Sequence, residues 1–348
     1  MLGNIAIIIV NWQNWQDTIA CLNSLQRLFF AGNVSIIVCD NGSRNESVSH
    51  ISQWAEQQWN AKLVLQDKSY TPARGETVSI FESLSDNPFV FIQTGKNLGF
   101  AGGTNAGIRY ALSTNKFEYL WLLNSDTEVD ERALVTLYGL AKNYPKLAMM
   151  GSTIVEYEQR DIVQCAGGCH YNPYLTRMKN IFSGKPLTEV LEKRAKRVKL
   201  DYVYGASMFL SIEAVKKVGL LNEEYFLFYE ELDYVKRLQK QGYAIGWCKY
   251  SLVYHKGGAS LHHAAKTLPE KRLLANYYEN LSTLKYTANH HRSILWLVAV
   301  NRFVLKSLVL IWRREFYLFK PLFLAYLRFF RIYFGRKQNV LYYLKRLN

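Results

Sequence analysis

The residues with the clearest chemical potential lie in Leu120-Trp121-Leu122-Leu123-Asn124-Ser125-Asp126-Thr127. An apolar run that reads as a buried strand stops at Asn124, and a carboxylate follows two residues later. That spacing puts an oxygen ligand just beyond the carboxyl end of a strand, where open α/β sheets bind ligands. Upstream, Asn97-Leu98-Gly99-Phe100-Ala101-Gly102-Gly103-Thr104-Asn105 reads as a glycine-rich turn opening a helical stretch. Its backbone can approach a phosphate or a sugar closely. A hard-oxygen site together with a glycine-rich cradle points to a metal-held nucleotide diphosphate.

The elements that must position these groups alternate along the chain. Asn4 to Val10 reads as a strand, and Gln16 to Phe29 has helical spacing through Ile19, Leu22, Leu25 and Leu28. Val34 to Cys39 is a second strand ending in the turn Asp40-Asn41-Gly42-Ser43. A helix near Glu46–Trp59 and a strand near Ala61–Gln66 follow, and the polar stretch Lys68 to Asn87 reads as an inserted surface loop. Then come a strand at Phe89–Gln93, the glycine turn, a helix across Thr104–Leu112 and the strand before Asn124. This rhythm predicts an α/β fold with a doubly wound, mostly parallel sheet. From about Gly151 the pattern is mixed, with a helix around Tyr229–Gln241, and after His255 the chain reads as helical. No internal repeat and no low-complexity tract is found.

The 348 residues can bury a large core, and aromatic content is high at 14%, with 24 tyrosines. The five cysteines are odd in number and scattered, and no signal peptide precedes the first strand, so a reduced, cytosolic chain is expected. Cys165, Cys169 and His170 lack the second ligand pair that a structural zinc would need. The net charge of +15 is unevenly placed. Residues 1–265 hold 27 Lys/Arg and 25 Asp/Glu, whereas 266–348 hold 16 and 3. The basic character therefore belongs to the last quarter, where it is interleaved with aromatic residues.

Five or six blocks, in order, resemble family 2 glycosyltransferases, and most closely their bacterial rhamnosyltransferase-like branch. They are Ile-Val-Asn-Trp at 9–12, Val-Cys-Asp-Asn-Gly-Ser at 38–43, Asn-Leu-Gly-Phe-Ala-Gly-Gly at 97–103, Leu-Asn-Ser-Asp at 123–126, Tyr-Phe-Leu-Phe-Tyr-Glu-Glu-Leu-Asp at 225–233 and His-Lys-Gly-Gly-Ala-Ser at 255–260. Any one block is weak, but the ordered set over residues 4–285 is specific. The resemblance implies a GT-A type fold over 1–265, with a nucleotide-sugar half (1–150) and an acceptor half (151–265). A basic, aromatic, helical extension over 266–348 would follow.

What the resemblance implies for single residues is concrete. Asn11 and Asp40 would contact the nucleotide, although an Asx turn alone also explains Asp40-Asn41-Gly42. Asn97, Gly99, Gly102, Gly103 and Asn105 would line the donor. Asp126 would be the ligand of Mg2+ or Mn2+, with Asn124 a weaker contact, because the usual Asp-X-Asp has Asn in its first place here. These ions share one or two carboxylates with substrate phosphates, so one strong carboxylate suffices. His255 would supply an imidazole near the metal, which leans toward Mn2+. The pair Glu230-Glu231, followed by Asp233, stands where an inverting transferase keeps its base; the alignment favours Glu231 and leaves Glu230 open. Tyr204, Gly205 and Ala206 would shape the acceptor side, and Trp121 and Tyr204 could stack on sugar rings or simply pack.

The implied reaction moves a sugar to a lipid-linked glycan in O-antigen, lipopolysaccharide or related surface-polysaccharide synthesis. L-rhamnose from dTDP-rhamnose leads as donor, and UDP-hexose or UDP-galactofuranose is the alternative. A nucleotidyltransferase or a dinucleotide oxidoreductase is disfavoured, since Asn11-Trp12-Gln13-Asn14 stands where a glycine-rich loop would follow the first strand. In the tail, Ile294–Trp312 is interrupted by Arg302 and Lys306, which would sit at the centre of a spanning helix. With Arg313 they recur at near-helical spacing, and Leu297, Val304, Leu308 and Ile311 lie on another side. That predicts an amphipathic helix on an anionic membrane surface at the cytoplasmic face. No RNA-reading motif is present, and nucleic acid is not expected as a partner.

Overall fold

The computed structural model describes residues 3–59, 64–66, 79–83, 88–194, 198–257 and 269–344. The chain runs β1 (Asn4–Asn11), α1 (Trp15–Leu25), β2 (Asn33–Asp40), α2 (Ser47–Gln58), β3 (Val64–Gln66), β4 (Ser79–Glu82), β5 (Phe89–Gln93), α3 (Gly99–Thr114), β6 (Tyr119–Asn124), β7 (Thr127–Val129), α4 (Ala133–Asn143) and β8 (Leu147–Glu156). It continues through β9 (Ile162–Ala166), β10 (Gly168–Asn172), β11 (Arg177–Asn180), β12 (Lys185–Pro186), α5 (Leu187–Glu192), β13 (Tyr202–Val203), β14 (Ser207–Ser211), α6 (Ile212–Val218), α7 (Glu230–Lys240) and β15 (Ala244–His255). Three longer helices end it: α8 (Pro269–His290), α9 (Leu295–Trp312) and α10 (Phe319–Leu344).

Two compact units result. The first comprises residues 1–170, 179–226 and 230–257, and the second 171–178, 227–229 and 258–348. In the first, the large sheet has the order β12-β9-β8-β14-β6-β1-β2-β5-β4-β3, with β15 against β7 and β8. Its centre, β5-β2-β1-β6, is parallel. These strands are near-continuous apolar runs (Ile5–Ile9, Ile36–Cys39, Phe89–Ile92, Leu120–Leu123) and are buried, as a parallel sheet covered on both faces requires. β14 enters antiparallel between β6 and β8. Register then aligns the chemistry: Asn11 pairs with Asp40, and Val10 with Asn124. The polar residues that end β1, β2 and β6 therefore leave the sheet at one edge.

Two expectations need correction. The polar stretch 68–87 is not all loop, because β4 forms within it and pairs antiparallel with β3 and β5; residues 67–78 and 84–87 lie outside the described residues. The glycine segment is also not a turn followed by a helix at Thr104, since α3 already begins at Gly99. Gly102, Gly103 and Asn105 are buried within its first two turns, where the sheet presses closely: a Cβ on Gly103 would come within 2.9 Å of Val10 Cγ1.

The second unit packs α8, α9 and α10 around Leu284, Leu295, Leu310, Leu322 and Phe329. Here α9 reverses an expectation. Arg302 and Lys306 do not face outward but turn into the unit. Arg302 donates to Asn280 Oδ1 (2.8 Å), Thr176 Oγ1 (2.8 Å) and Glu279 Oε1 (2.9 Å), and Lys306 reaches both Glu279 oxygens at 3.1 Å. The side left exposed is apolar: Trp296, Leu297, Val300, Val304, Leu308, Ile311 and Trp312. Spacing alone did not tell which side is inward, because the inward side is chosen by Glu279 on another helix. Among the described residues one helix, Arg292–Trp312 with mean hydropathy 2.0, is long and apolar enough to cross a membrane by length and composition.

Candidate active site

At the sheet edge the first cluster is built on Asn11 and Asp40, both buried. Asn11 donates to Asp40 Oδ1 (2.7 Å) and accepts from Thr18 Oγ1 (2.8 Å), and Ser43 N–H donates to Asp40 Oδ2 (3.1 Å). Both carboxylate oxygens are thus engaged, one by the Asx turn that the sequence allowed. Asn41, a turn residue by composition, organises the glycine segment. Its amide donates to Gly99 O (3.0 Å) and Asn97 Oδ1 (3.1 Å), while its oxygen accepts from Leu98 N–H (3.0 Å). Asn97 Oδ1 in turn accepts from Gly99 N–H at 2.9 Å. Gly99 has φ +77°, and a Cβ there would collide with the carbonyl of Phe226, which accepts from Phe100 N–H at 2.9 Å. Asn105 is a brace rather than an open contact: it is 0% exposed and holds Leu221 and Glu223 through three bonds of 2.9–3.0 Å.

The second cluster lies past β6. Asp126 and His255 are 6% and 5% exposed, and His255 Nε2 is 3.2 Å from Asp126 Oδ1. The turn is tied down by Thr127 Oγ1 donating to Asn124 O (2.7 Å) and Lys256 N–H donating to Asp126 O (3.1 Å). Behind the imidazole, His255 Nδ1 is 2.6 Å from Gln164 Oε1, and Gln164 Nε2 donates to Glu156 Oε2 at 3.2 Å. Neither Gln164 nor Glu156 carried a signal in the sequence. Among the described residues no group of three or more His, Cys, Asp or Glu comes together as a metal cluster. One carboxylate and one imidazole nitrogen nevertheless fit a divalent ion that completes its shell with phosphate oxygens, and the nitrogen suits Mn2+. Cys165 and Cys169 are buried thiols 3.9 Å apart, and His170 is exposed beside Asp201.

The third cluster opens α7. Glu230 is 3% exposed and its Oε2 has no hydrogen-bond partner among the described residues, whereas Glu231 is half-buried. Burial, then the neighbouring charge of Glu231, holds the Glu230 carboxyl well above the usual range. Burial pushes Glu231 up to about 7. Its carboxylate fills the space beside Gly205, where a Cβ would lie 2.5 Å from Oε1. Tyr204, the preceding residue, sets its ring edge-on to His255 at 6.0 Å. The segment Tyr204-Gly205 therefore touches both the Asp126–His255 pair and Glu231, and Ala206 O accepts Asn124 N–H at 3.1 Å.

Asp233 and Trp121 each carry structural bonds. Asp233 is 3% exposed and ion-paired with Arg237 (2.8 Å), which also donates to Val218 O and Leu220 O. That pair braces the helix, and the i,i+4 spacing is its signal. Trp121 is 0% exposed and donates to Ser207 Oγ at 2.9 Å, so it packs in the core and does not stack on a sugar. Gly258, Ala259 and Ser260 lie outside the described residues.

A parallel centre whose polar strand ends meet a carboxylate helix in this way is the architecture of GT-A folds. Residues 72–218 match the family model described as glycosyl transferase family 2. The low-salt glycan biosynthesis hexosyltransferase Agl10 of Haloferax volcanii is 26% identical over 252 residues, which is 72% of this chain and 66% of that protein, just under two thirds of its length. Two structures share the fold at 11% identity. GalNAc-T7 with UDP, GalNAc and Mn2+ has a TM-score of 0.53 over 73% of this chain and 44% of that one. The mannosyltransferase PcManGT of Pyrobaculum calidifontis with GDP-Man and Mn2+ has a TM-score of 0.51 over 95% and 88%. The family model matches under half of this chain, and the two structures are similar to it in fold alone.

Proposed function

We propose that this chain is an inverting glycosyltransferase that uses a nucleotide-sugar donor, with Glu231 as its base. The observation that carries this is the half-buried Glu231 carboxylate, raised by burial to about 7 and set against the Tyr204-Gly205 segment. An acceptor hydroxyl attacks the anomeric carbon, the bond from that carbon to the diphosphate oxygen breaks, and the nucleoside diphosphate leaves with the electron pair. Glu231 takes the hydroxyl proton, for which a pKa near the working pH is best. Asp126 and His255 are the residues that would hold a divalent ion, and what such an ion supplies is neutralisation of charge on the leaving phosphates. Asn11, Asp40 and the Asn41-braced segment Asn97–Gly103 line the edge where the nucleotide would lie. Tyr204 and Gly205 face the acceptor.

dTDP-L-rhamnose remains the leading donor on the order of the sequence blocks. A UDP-hexose is the second reading, and the relative's being a hexosyltransferase fits either donor; UDP-galactofuranose belongs to the same test. The acceptor is a lipid-linked glycan of surface-polysaccharide type, met on the cytoplasmic face of the membrane. The exposed apolar side of α9, flanked by exposed Arg292, Arg313 and Arg314, supports docking on an anionic lipid surface. Arg302 and Lys306 share the single carboxylate of Glu279, so together they add one net positive charge, not two, to that attraction. A donor panel of dTDP-rhamnose, UDP-hexoses and UDP-galactofuranose, with Mn2+ and with EDTA, tests the enzymatic reading. Divalent-dependent donor consumption that Asp126→Ala abolishes is expected, and full activity in excess EDTA would sink the metal site. Sedimentation with anionic liposomes tests the docking: a Leu308→Ser/Trp312→Ser variant is expected to stay in the supernatant, and undiminished sedimentation would remove α9 as the anchor.

A further inference from the structure

We propose that Gln164, steered by Glu156, fixes the tautomer of His255 and thereby aims its Nε2 lone pair at Asp126. The inference rests on the metal reading above and adds two positioning residues to it. Sheet register brings them together: His255 in β15 pairs with Glu156 in β8, and Gln164 lies on β9, the next strand over. The amide of Gln164 is placed between two demands. Its nitrogen is 3.2 Å from Glu156 Oε2 and its oxygen 2.6 Å from His255 Nδ1. Carboxylate oxygens accept hydrogen bonds, so the NH2 group must face Glu156 and the amide oxygen must face the imidazole. That oxygen can only accept, so Nδ1 carries the proton.

In the neutral ring Nε2 then keeps its lone pair on the side of Asp126 Oδ1, 3.2 Å away. That contact is made either by a second ring proton or by a cation held by both groups, and the Nδ1–H form is the one that keeps Nε2 open to the cation. The reversed amide would set its oxygen against Glu156 and put the proton on Nε2, where an ion should bind. Water cannot easily replace the amide, because Gln164 is 9% exposed and His255 5%. Gly257, at φ +63°, closes over the amide, and a Cβ there would collide with Gln164 Nε2.

The test uses the full chain, nitrogen NMR of the histidine rings and calorimetric Mn2+ binding in the presence of UDP. The His255 signals, identified by their loss in His255→Gln, are expected to report the Nδ1–H form. Gln164→Leu should mix the tautomers and weaken Mn2+ binding roughly 10–100-fold, the usual effect of removing a partner behind a metal-binding histidine. Glu156→Gln alone frees the amide to reverse and should give a smaller loss. The exchange Glu156→Gln/Gln164→Glu keeps an acceptor at Nδ1 and a donor behind it, so it should restore both readouts. If Gln164→Leu leaves tautomer and affinity unchanged while Asp126→Asn loses Mn2+, the positioning role is wrong and the metal site stands. If Asp126→Asn binds Mn2+ like the parent, the metal site itself fails and the proposal with it. Should Gln164→Leu not fold, Glu156→Gln and the exchange variant decide the matter by the same readouts.

Discussion

Two half-buried glutamates, one in each unit, meet opposite fates. Glu231 opens α7, and among the described residues neither it nor Glu230 forms an ion pair, so burial pushes Glu231 up to about 7. Glu279, in α8, is also pushed up by burial, but Arg302 and then Lys306 outweigh that and hold it below its ordinary value. Burial is common to both, and the partner decides the sign. An uncompensated carboxylate is available to take a proton, whereas a compensated one fixes the geometry of its cations. The first unit thus keeps a charge available for chemistry. The second turns its central cations inward and shows an apolar face.

The sharpest way to break this comparison is to remove each carboxylate's proton chemistry in turn. Glu231→Gln is expected to lower kcat by about 10²–10⁴ while nucleotide affinity, read by calorimetry, is kept. Glu230→Gln should cost far less, since that carboxyl is enclosed and neutral; an inactive Glu230→Gln beside an active Glu231→Gln would exchange their roles.

Next in size is the second unit. Arg302→Leu leaves Glu279, Asn280 and Thr176 without their shared donor and is expected to destabilise the chain by about 1–3 kcal/mol in a denaturant titration. The lower half of that range is favoured because Glu279 is partly solvated. A neutral effect would mean the cluster is ornamental.

The pH dependence of stability separates the two glutamates by sign. Glu231 has a folded pKa raised from 4.5 to about 7, so its burial costs stability that grows as pH rises through that window. Glu231→Gln should therefore be more stable than the parent at pH 8 by about 1–3 kcal/mol and little different at pH 4.5. Glu279 has a folded pKa below 4.5, so its contribution is full above that value and is lost as pH falls through the folded one. Glu279→Gln should accordingly flatten the acid limb of a thermal-melt series, the smallest of these effects. Parallel pH profiles for both variants would contradict the distinction.

Much of the first unit was legible because the signals are local. Apolar runs of strand length ending in Asn or Asp predict both the parallel centre and the edge where Asn11, Asp40, Asn124 and Asp126 emerge. What was not legible depends on partners far apart in the chain. Gln164 and Glu156 look like any polar residues of a hairpin until β15 brings His255 beside them. The inward turn of Arg302 is set by Glu279, 23 residues earlier. Asn105 matched a donor-binding block, yet Leu221 and Glu223, 116 and 118 residues later, take all its bonds. The Asp233–Arg237 pair, by contrast, follows a local i,i+4 spacing.

The central claim, that partner and not burial sets the role of each glutamate, is tested most directly by carbon NMR of the full chain labelled at glutamate side-chain carboxyls. The resonance lost in Glu231→Gln is predicted to titrate near 7, and the one lost in Glu279→Gln to stay ionised to below 4.5. If both titrate together in the ordinary carboxylate range, Glu231 is not poised as a base and the account is wrong.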